Sequence, residues 1–317
     1  MEKILVIGSA GQIGSELVMA LREVYGSNNV IAGINKTPAA PDVMASGPSE
    51  RVNVMDKIQI GGIVEKYSIT QIYHLAAVLS AICETKPLEA WQMNMDSLFN
   101  VLELAREKKL HKVFWPSSIG AFGPTTPTDN TPQVTIMEPS TVYGISKLAG
   151  ERWVEYYWNK YKVDTRGLRY PGLLSYKTEP GGGTTDYAVE IFYKAIEEGK
   201  YECFLGPDTR LPMMFMPDAL KATIDLMEAP AEKISVRSNY NVGAMTLDPK
   251  NLAIEIKKRI PEFTITYKPD FRQAIADSWP ASIDDSVARK DWGWKPEYDT
   301  SKMTDIMLSE IRKKLTK

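Results

Sequence analysis

Residues Ile4–Ile7 form an uninterrupted apolar run, followed by Gly8-Ser9-Ala10-Gly11-Gln12-Ile13-Gly14 and then by Glu16–Arg22 with helical spacing. An apolar run of this length reads as a strand buried on both faces, and the following stretch as an amphipathic helix. A strand, a glycine turn and a helix N-terminus together make a cradle for a diphosphate. Glycines let the backbone approach the ligand, while free N–H groups and the helix dipole favour its negative charge. Gly8, Gly11, Gln12, Ile13 and Gly14 are the residues this assigns to the cradle. The spacing is GxxGxxG, not GxGxxG, and the same turn also serves as a plain strand–helix connection.

Strand and helix patterns alternate beyond it. Strands are expected at 3–7, 29–34, 51–54, 71–76, 112–117 and 163–169, and helices at about 12–24, 57–67, 87–109 and 143–161. Such alternation predicts an α/β fold with a Rossmann-like, doubly wound parallel sheet. After residue 171 the pattern loosens. A turn-rich loop at 178–185 precedes a helix at 186–198, a helix at 217–228, a short strand at 239–243, a helix at 248–259 and a strand at 262–268. A dinucleotide domain over 1–171, with 213–243 returning to it, and a smaller C-terminal substrate-binding lobe from 172–212 and 244–317 are expected.

Bulk properties exclude several classes. The net charge of -2 argues against a nucleic-acid binder, and no run of 18 apolar residues suggests a membrane span. Met1-Glu2-Lys3 leads into the strand without a signal-peptide pattern, and Cys83 and Cys203 are the only cysteines, so a cytoplasmic protein without disulfides is expected. His74 and His111 are the only histidines, and neither has other metal-ligand types at useful spacing. No metal is expected, and His74, inside an apolar run, reads as a core residue.

Tyr143 and Lys147 stand four apart, on one face of a helix, behind the serine-bearing strand end Val113-Phe114-Trp115-Pro116-Ser117-Ser118. With the N-terminal glycine turn, this order resembles the short-chain dehydrogenase/reductase superfamily in its extended, epimerase-like branch. The resemblance implies Tyr143 as the proton-transfer group, Lys147 as the cation that favours its phenolate and binds the nicotinamide ribose, and Ser118 as the group that positions the substrate alcohol. It implies NAD as cofactor, with further contacts from Asn35, Asp56, Leu75, Ala76, Ala77, Asn94 and Tyr170. Ser117 reads equally as a strand-end cap or a cofactor contact. The fingerprint also expects an acid at the end of the second strand, for the adenosine 2'-hydroxyl. Gly33-Ile34-Asn35-Lys36 has none, and Lys36 can attract a 2'-phosphate; Asn35 can still bind the ribose.

Longer stretches narrow the resemblance. Phe122-Gly123-Pro124, Glu138-Pro139-Ser140-Thr141-Val142-Tyr143-Gly144, Gly181-Gly182-Gly183-Thr184-Thr185-Asp186, Tyr267-Lys268-Pro269-Asp270-Phe271-Arg272 and Asp277-Ser278-Trp279-Pro280 are together similar to the short-chain type of L-threonine 3-dehydrogenases. That family oxidises the 3-hydroxyl of L-threonine to 2-amino-3-oxobutyrate, which decarboxylates to aminoacetone or passes to a CoA-dependent ligase. The resemblance implies a small-molecule substrate held by Ser80, Ser118, Tyr143, Gly183, Thr184, Thr185 and Trp279. It also implies a homodimer built on the helices at 87–109 and 143–161, whose Trp91, Leu98, Trp153, Tyr156 and Tyr157 put apolar surface on more than one face. Three alternatives stay open: a nucleotide-sugar epimerase or dehydratase on the same fold, a dinucleotide sensor without catalysis, and a scaffold. Ile119-Gly120 after Ser118 lacks the acid pair of a dehydratase, and neither sensor nor scaffold needs Ser118, Tyr143 and Lys147 together.

Overall fold

The apolar run at the N-terminus is the centre of a six-stranded sheet in the computed structural model, which describes residues 2–78 and 80–316, with the backbone alone for 80–82. The chain runs β1 (Ile4–Ile7), α1 (Gln12–Tyr25), β2 (Val30–Ile34), α2 (Pro41–Ala45), β3 (Ser49–Arg51), α3 (Lys57–Tyr67), β4 (Gln71–His74), α4 (Ser80–Thr85), α5 (Pro87–Lys108), β5 (Lys112–Phe114), β6 (Ser117–Ser118), α6 (Val142–Tyr161), β7 (Thr165–Arg166) and β8 (Leu168–Tyr170). The sheet order is β3-β2-β1-β4-β5-β7, and every neighbouring pair is parallel. The chain winds outward one way from β1 through β2 to β3, and the other way from β4 on. The crevice between the C-terminal ends of β1 and β4 is therefore the switch point, where open α/β sheets bind ligands.

The chain divides into two units. The first is Met1–Ala121, Thr141–Arg169 and Leu220–Tyr240. On one face of its sheet, Leu5, Ile7, Ile31, Ile72 and Val113 pack with Ile60 and Val64 of α3, Leu98 and Val101 of α5, and Val154 and Tyr157 of α6. Two of its helices start at a side-chain cap. Asp56 accepts from Gln59 N at 2.9 Å for α3, and Thr141 accepts from Gly144 N at 3.1 Å for α6. Segment 220–240 is tied to the sheet edge by the Arg166 guanidinium. It donates to the carbonyls of Leu226 and Ala229 at 2.7 and 2.6 Å and pairs with Asp164 at 2.8 Å. The expected strand 112–117 is broken, because Pro116 has no N–H for a ladder; Ser117–Ser118 joins a separate ladder of order β12-β8-β6, with β12 at Tyr240–Asn241.

The second unit is Phe122–Ser140, Tyr170–Ala219 and Asn241–Lys317. Its elements are β9 (Gly172–Leu174), α7 (Tyr187–Glu197), β10 (Lys200–Cys203), β11 (Leu211–Phe215), β13 (Met245–Leu247), α9 (Pro249–Lys257), β14 (Thr264–Tyr267), α10 (Arg272–Asp277), α11 (Ser286–Trp292) and α12 (Thr300–Leu315), while α8 (Met216–Glu228) runs across the division. β11 pairs antiparallel with β13 and parallel with β9, and β10 pairs with β14. Tyr187, Phe192, Phe215, Leu252, Phe263, Met303 and Met307 form the core. Segment 122–140, expected with the dinucleotide domain, clusters here. Asn241 Nδ2 donates to the Thr131 carbonyl at 3.0 Å, and Asn241 N to Gln133 Oε1 at 2.7 Å.

Among the described residues no disulfide is present, both cysteines are free and buried, no three metal-ligating side chains gather, and no helix is long and apolar enough to cross a membrane. His74 sits in the core as expected. Its Nε2 lies 3.1 Å from Ser97 Oγ, and burial pulls its imidazole down to about 3, so it is neutral. The unfolded chain takes up a proton near pH 6.5 that the fold refuses until about pH 3, so stability falls as pH drops through that window. The urea midpoint should fall more between pH 7.5 and 4.5 in the parent than in His74→Gln. Parallel falls would show that His74 is not the group responsible.

Candidate active site

The cradle forms as its sequence requires. Gly8 has φ +96°, and a Cβ there would lie 2.8 Å from Ala76 N. A Cβ on Gly14 would lie 2.1 Å from the Gly8 carbonyl oxygen. These glycines thus bring the start of α1 against the ends of β1 and β4. Gly11, the N-cap of α1, offers no side chain to the first turn, which also has no acid. The N-terminal N–H groups and the positive end of the dipole are left for a ligand. A cavity of about 390 Å³ opens there. Gly8, Gly11, Gln12, Ile13 and Gly14 line it from the turn, Asn35 from the end of β2, and Leu75, Ala76 and Ala77 from the end of β4. Uncapped donors, close backbone approach and an apolar slot between strands fit a dinucleotide.

Of the residues assigned to the cofactor, Asp56, Asn94, Ser117, Tyr143, Lys147 and Tyr170 do not line this cavity. Asp56 is occupied as the cap of α3 and does not line the cavity, whereas Val52 and Val54 before it do. Asn94 is buried and fixes the loop after β4: its Oδ1 accepts from Val78 N at 2.7 Å, and its Nδ2 donates to the Val78 carbonyl at 3.2 Å and to Ser146 Oγ at 3.3 Å. Met93 next to it lines the cavity, a contact the sequence reading missed. It is signalled only by the turn of α5 that faces β4. Ser117 Oγ is buried with no hydrogen-bond partner, so it does not cap a strand end.

Tyr143 and Lys147 share one stretch of α6 as their spacing predicted, and Ser118, placed by the resemblance, reaches Tyr143. Ser118 Oγ accepts from Gly120 N at 3.1 Å, which leaves its proton for the Tyr143 phenol, its hydrogen-bond partner. Burial pushes that phenol up to about 12, against the downward pull of Ser118. Lys147 Nζ lies 5.6 Å from the Tyr143 ring centroid and 4.6 Å from that of Trp115, and donates to the Pro116 carbonyl at 2.6 Å. Burial draws its ammonium down to about 8, against Glu151 one turn further on. The expected lowering of Tyr143 by Lys147 does not set the direction of this shift; burial does. The helix reaches this position because Gly150 packs directly on the Trp115 indole, where a Cβ would lie 2.3 Å from the ring.

In the second unit, Thr184 is buried while Gly183 and Thr185 are half-buried, just before α7. The loop was expected to offer its N–H groups to a carboxylate. Asp186 Oδ2 takes two of them, from Gly181 at 2.7 Å and Gly183 at 2.8 Å. Tyr170 is buried, and Trp279 is half-buried against the core of this unit. The Ser80 side chain lies outside the described residues.

The family model for the NAD dependent epimerase/dehydratase family matches residues 4–243. An uncharacterized epimerase/dehydratase of Staphylococcus saprophyticus is 50% identical over 315 residues, 99% of this chain and 98% of that one. The solved GalE-like L-threonine dehydrogenase from Cupriavidus necator, in its holo form, is 55% identical with a TM-score of 0.95, covering 98% of this chain and 99% of its own. A monomeric L-threonine 3-dehydrogenase from a metagenome database, in its apo form, is 46% identical with a TM-score of 0.92, covering 98% and 99%.

Gly8→Ala tests the cradle, since its Cβ must enter the backbone of Ala76 from a positive φ. The variant should bind dinucleotide at least about tenfold more weakly by fluorescence titration, a loss of ~1.4 kcal/mol. Unchanged affinity in a folded variant would remove the cradle from the site.

Proposed function

The chain belongs to the NAD dependent epimerase/dehydratase family, and from that premise we propose that it oxidises the 3-hydroxyl of L-threonine to 2-amino-3-oxobutyrate with NAD. The observation that carries the reaction class is the serine–tyrosine–lysine set, with Ser118 Oγ anchored by Gly120 N and its proton turned to Tyr143. Full-length similarity to L-threonine dehydrogenases supports the substrate.

The substrate alcohol is oriented by the Ser118 hydroxyl, and its proton passes to Tyr143 Oη as the C3–H bond breaks. Bound NAD supplies the two-electron acceptor for that hydrogen. Phenolate formation is opposed by burial and favoured by Ser118 and by any cation nearby, of which Lys147 is the one in this unit's site. The Thr184 and Thr185 hydroxyls are assigned to the substrate carboxylate and Trp279 to closing its apolar side. The product, a 2-amino-3-oxo acid, is set to decarboxylate or to be cleaved by a CoA-dependent ligase. A nucleotide-sugar reaction is the competing reading within the family.

Tyr143→Phe should lower kcat by about 10²–10⁴ and leave dinucleotide affinity close to the parent's. L-allo-threonine should lose orders of magnitude in kcat/KM, because inverting C3 exchanges the groups facing the tyrosine and the dinucleotide. NADH formation with L-threonine, followed at 340 nm, checks both. Turnover of Tyr143→Phe within twofold of the parent, equal rates for the two epimers, or faster turnover of UDP-glucose would refute the assignment.

We also assign the exposed aromatic face of the first unit to a second copy of the chain. Trp91, Trp153 and Tyr156 keep 38%, 41% and 45% of their surface exposed on α5 and α6. Light scattering at micromolar concentration should give about twice the chain mass of 35.5 kDa. The chain mass itself would overturn this.

A further inference from the structure

The cavity at the switch point has an electrostatic feature that the nicotinamide reaction does not use. Among the residues lining it, Lys36 is the only charged one, and no carboxylate is present. Ile34, at the end of β2, stands where the fold places the acid that accepts from the adenosine 2'-hydroxyl and repels a 2'-phosphate. Asn35, Lys36 and Thr37 follow it around the rim, all exposed and all lining the same cavity. They supply an amide, an ammonium and a hydroxyl within three consecutive residues. A second cation flanks them. Arg51 is the β3 partner of Ile34 in the ladder, and Val52 N donates to the Ile34 carbonyl at 2.6 Å, so the two chain segments run side by side there. Neither Lys36 nor Arg51 enters an ion pair among the described residues. The nearest acid of β3, Glu50, is taken by Lys66 at 2.6 Å and by the Tyr67 hydroxyl at 2.7 Å.

We propose that this rim is a subsite for the adenosine 2'-phosphate, so that the cavity takes the phosphorylated dinucleotide NADP(H) as well as NAD(H), with Lys36 as the principal phosphate ligand and Asn35 and Thr37 as its neutral donors. The inference rests on the dinucleotide reading of the cavity and is independent of the substrate. Its chemistry is a charge balance. A phosphate dianion against a carboxylate is expelled, whereas against an isoleucine it meets no repulsion and gains a charge-assisted hydrogen bond from the ammonium. The neutral isoleucine also withdraws the acceptor that would reward an unphosphorylated ribose.

Direct titration of NADPH and NADH into the full chain, by nicotinamide fluorescence and calorimetry, tests this without substrate or turnover. Three results are expected: dissociation constants within about tenfold of one another, a steeper salt dependence for NADPH, and a loss of about tenfold for NADPH against less than about threefold for NADH in Lys36→Glu. Ile34→Asp should weaken NADPH and leave NADH unchanged or tighter, in a protein whose far-UV circular dichroism matches the parent. NADPH binding more than about tenfold weaker than NADH in the parent, or equal effects of Lys36→Glu on the two, would overturn the subsite while leaving NAD-dependent chemistry standing. Failure of both ligands to bind would overturn the dinucleotide reading and the subsite with it.

Discussion

A carboxylate and a guanidinium shut away from water hold the helix of Tyr143 and Lys147 to the strand beside it. Glu151 has 0% and Arg169 3% of its side-chain surface exposed, and they meet through two parallel hydrogen bonds of 2.9 and 2.8 Å. Two parallel N–H···O bonds fix direction as well as distance. Removing one partner would strand the other charge in the interior, which costs about 3–5 kcal/mol in comparable buried pairs. Glu151 lies one turn beyond Lys147, so the same carboxylate that registers α6 also opposes the loss of the ammonium's proton. Lys147 in turn reaches the Pro116 carbonyl, the residue before Ser117 and Ser118. A small slip of α6 would therefore move the tyrosine, the lysine and the serine hydrogen bond together.

Polar groups of the first unit are left unsatisfied at the start of α1 and beside the serine–tyrosine pair. Asp56, Thr141, Asp248 and Asp299 cap their helices with side-chain oxygens, but α1 starts from an uncapped glycine. Ser117 Oγ is buried without a partner. Tyr143 and Lys147 both sit where their charged forms are disfavoured. Each departure costs stability by itself. Such departures are expected where a ligand completes the hydrogen bonding.

The sheet was legible because its central strands are buried on both faces and read as unbroken apolar runs, Ile4–Ile7 being the clearest. The glycine turn and the Tyr143–Lys147 pair were legible because they need fixed residue types at short spacing, whereas Ser118 came from the family resemblance. What escaped the reading depends on contacts distant in sequence. Segment 122–140 looks like a loop of the first domain, and only its pairing with Asn241 and Ser282 shows its other allegiance. Helix α12 was overlooked although Met303, Met307 and Ile311 recur every four residues and are buried. Asp56 resembled a cofactor contact and is spent on Gln59 N. In the glycine loop the sequence shows abundant N–H groups, but not that Asp186 claims them.

Burial treats Tyr143 and Lys147 in opposite ways, and their closeness turns this into a device. It raises the phenol to about 12 and lowers the ammonium to about 8, so each group alone resists being charged. The Lys147 ammonium lies 5.6 Å from the centre of the Tyr143 ring, and the low effective dielectric that disfavours isolated charges strengthens the attraction between opposite ones. With Ser118 donating to the same phenol oxygen, the phenolate has one charged and one neutral stabiliser, both held by backbone contacts from 116–120. Tyr143 can take up a proton only as its phenolate, and a hydrogen-bond donor and a cation beside it lower the cost of that ionisation against the burial that raises it.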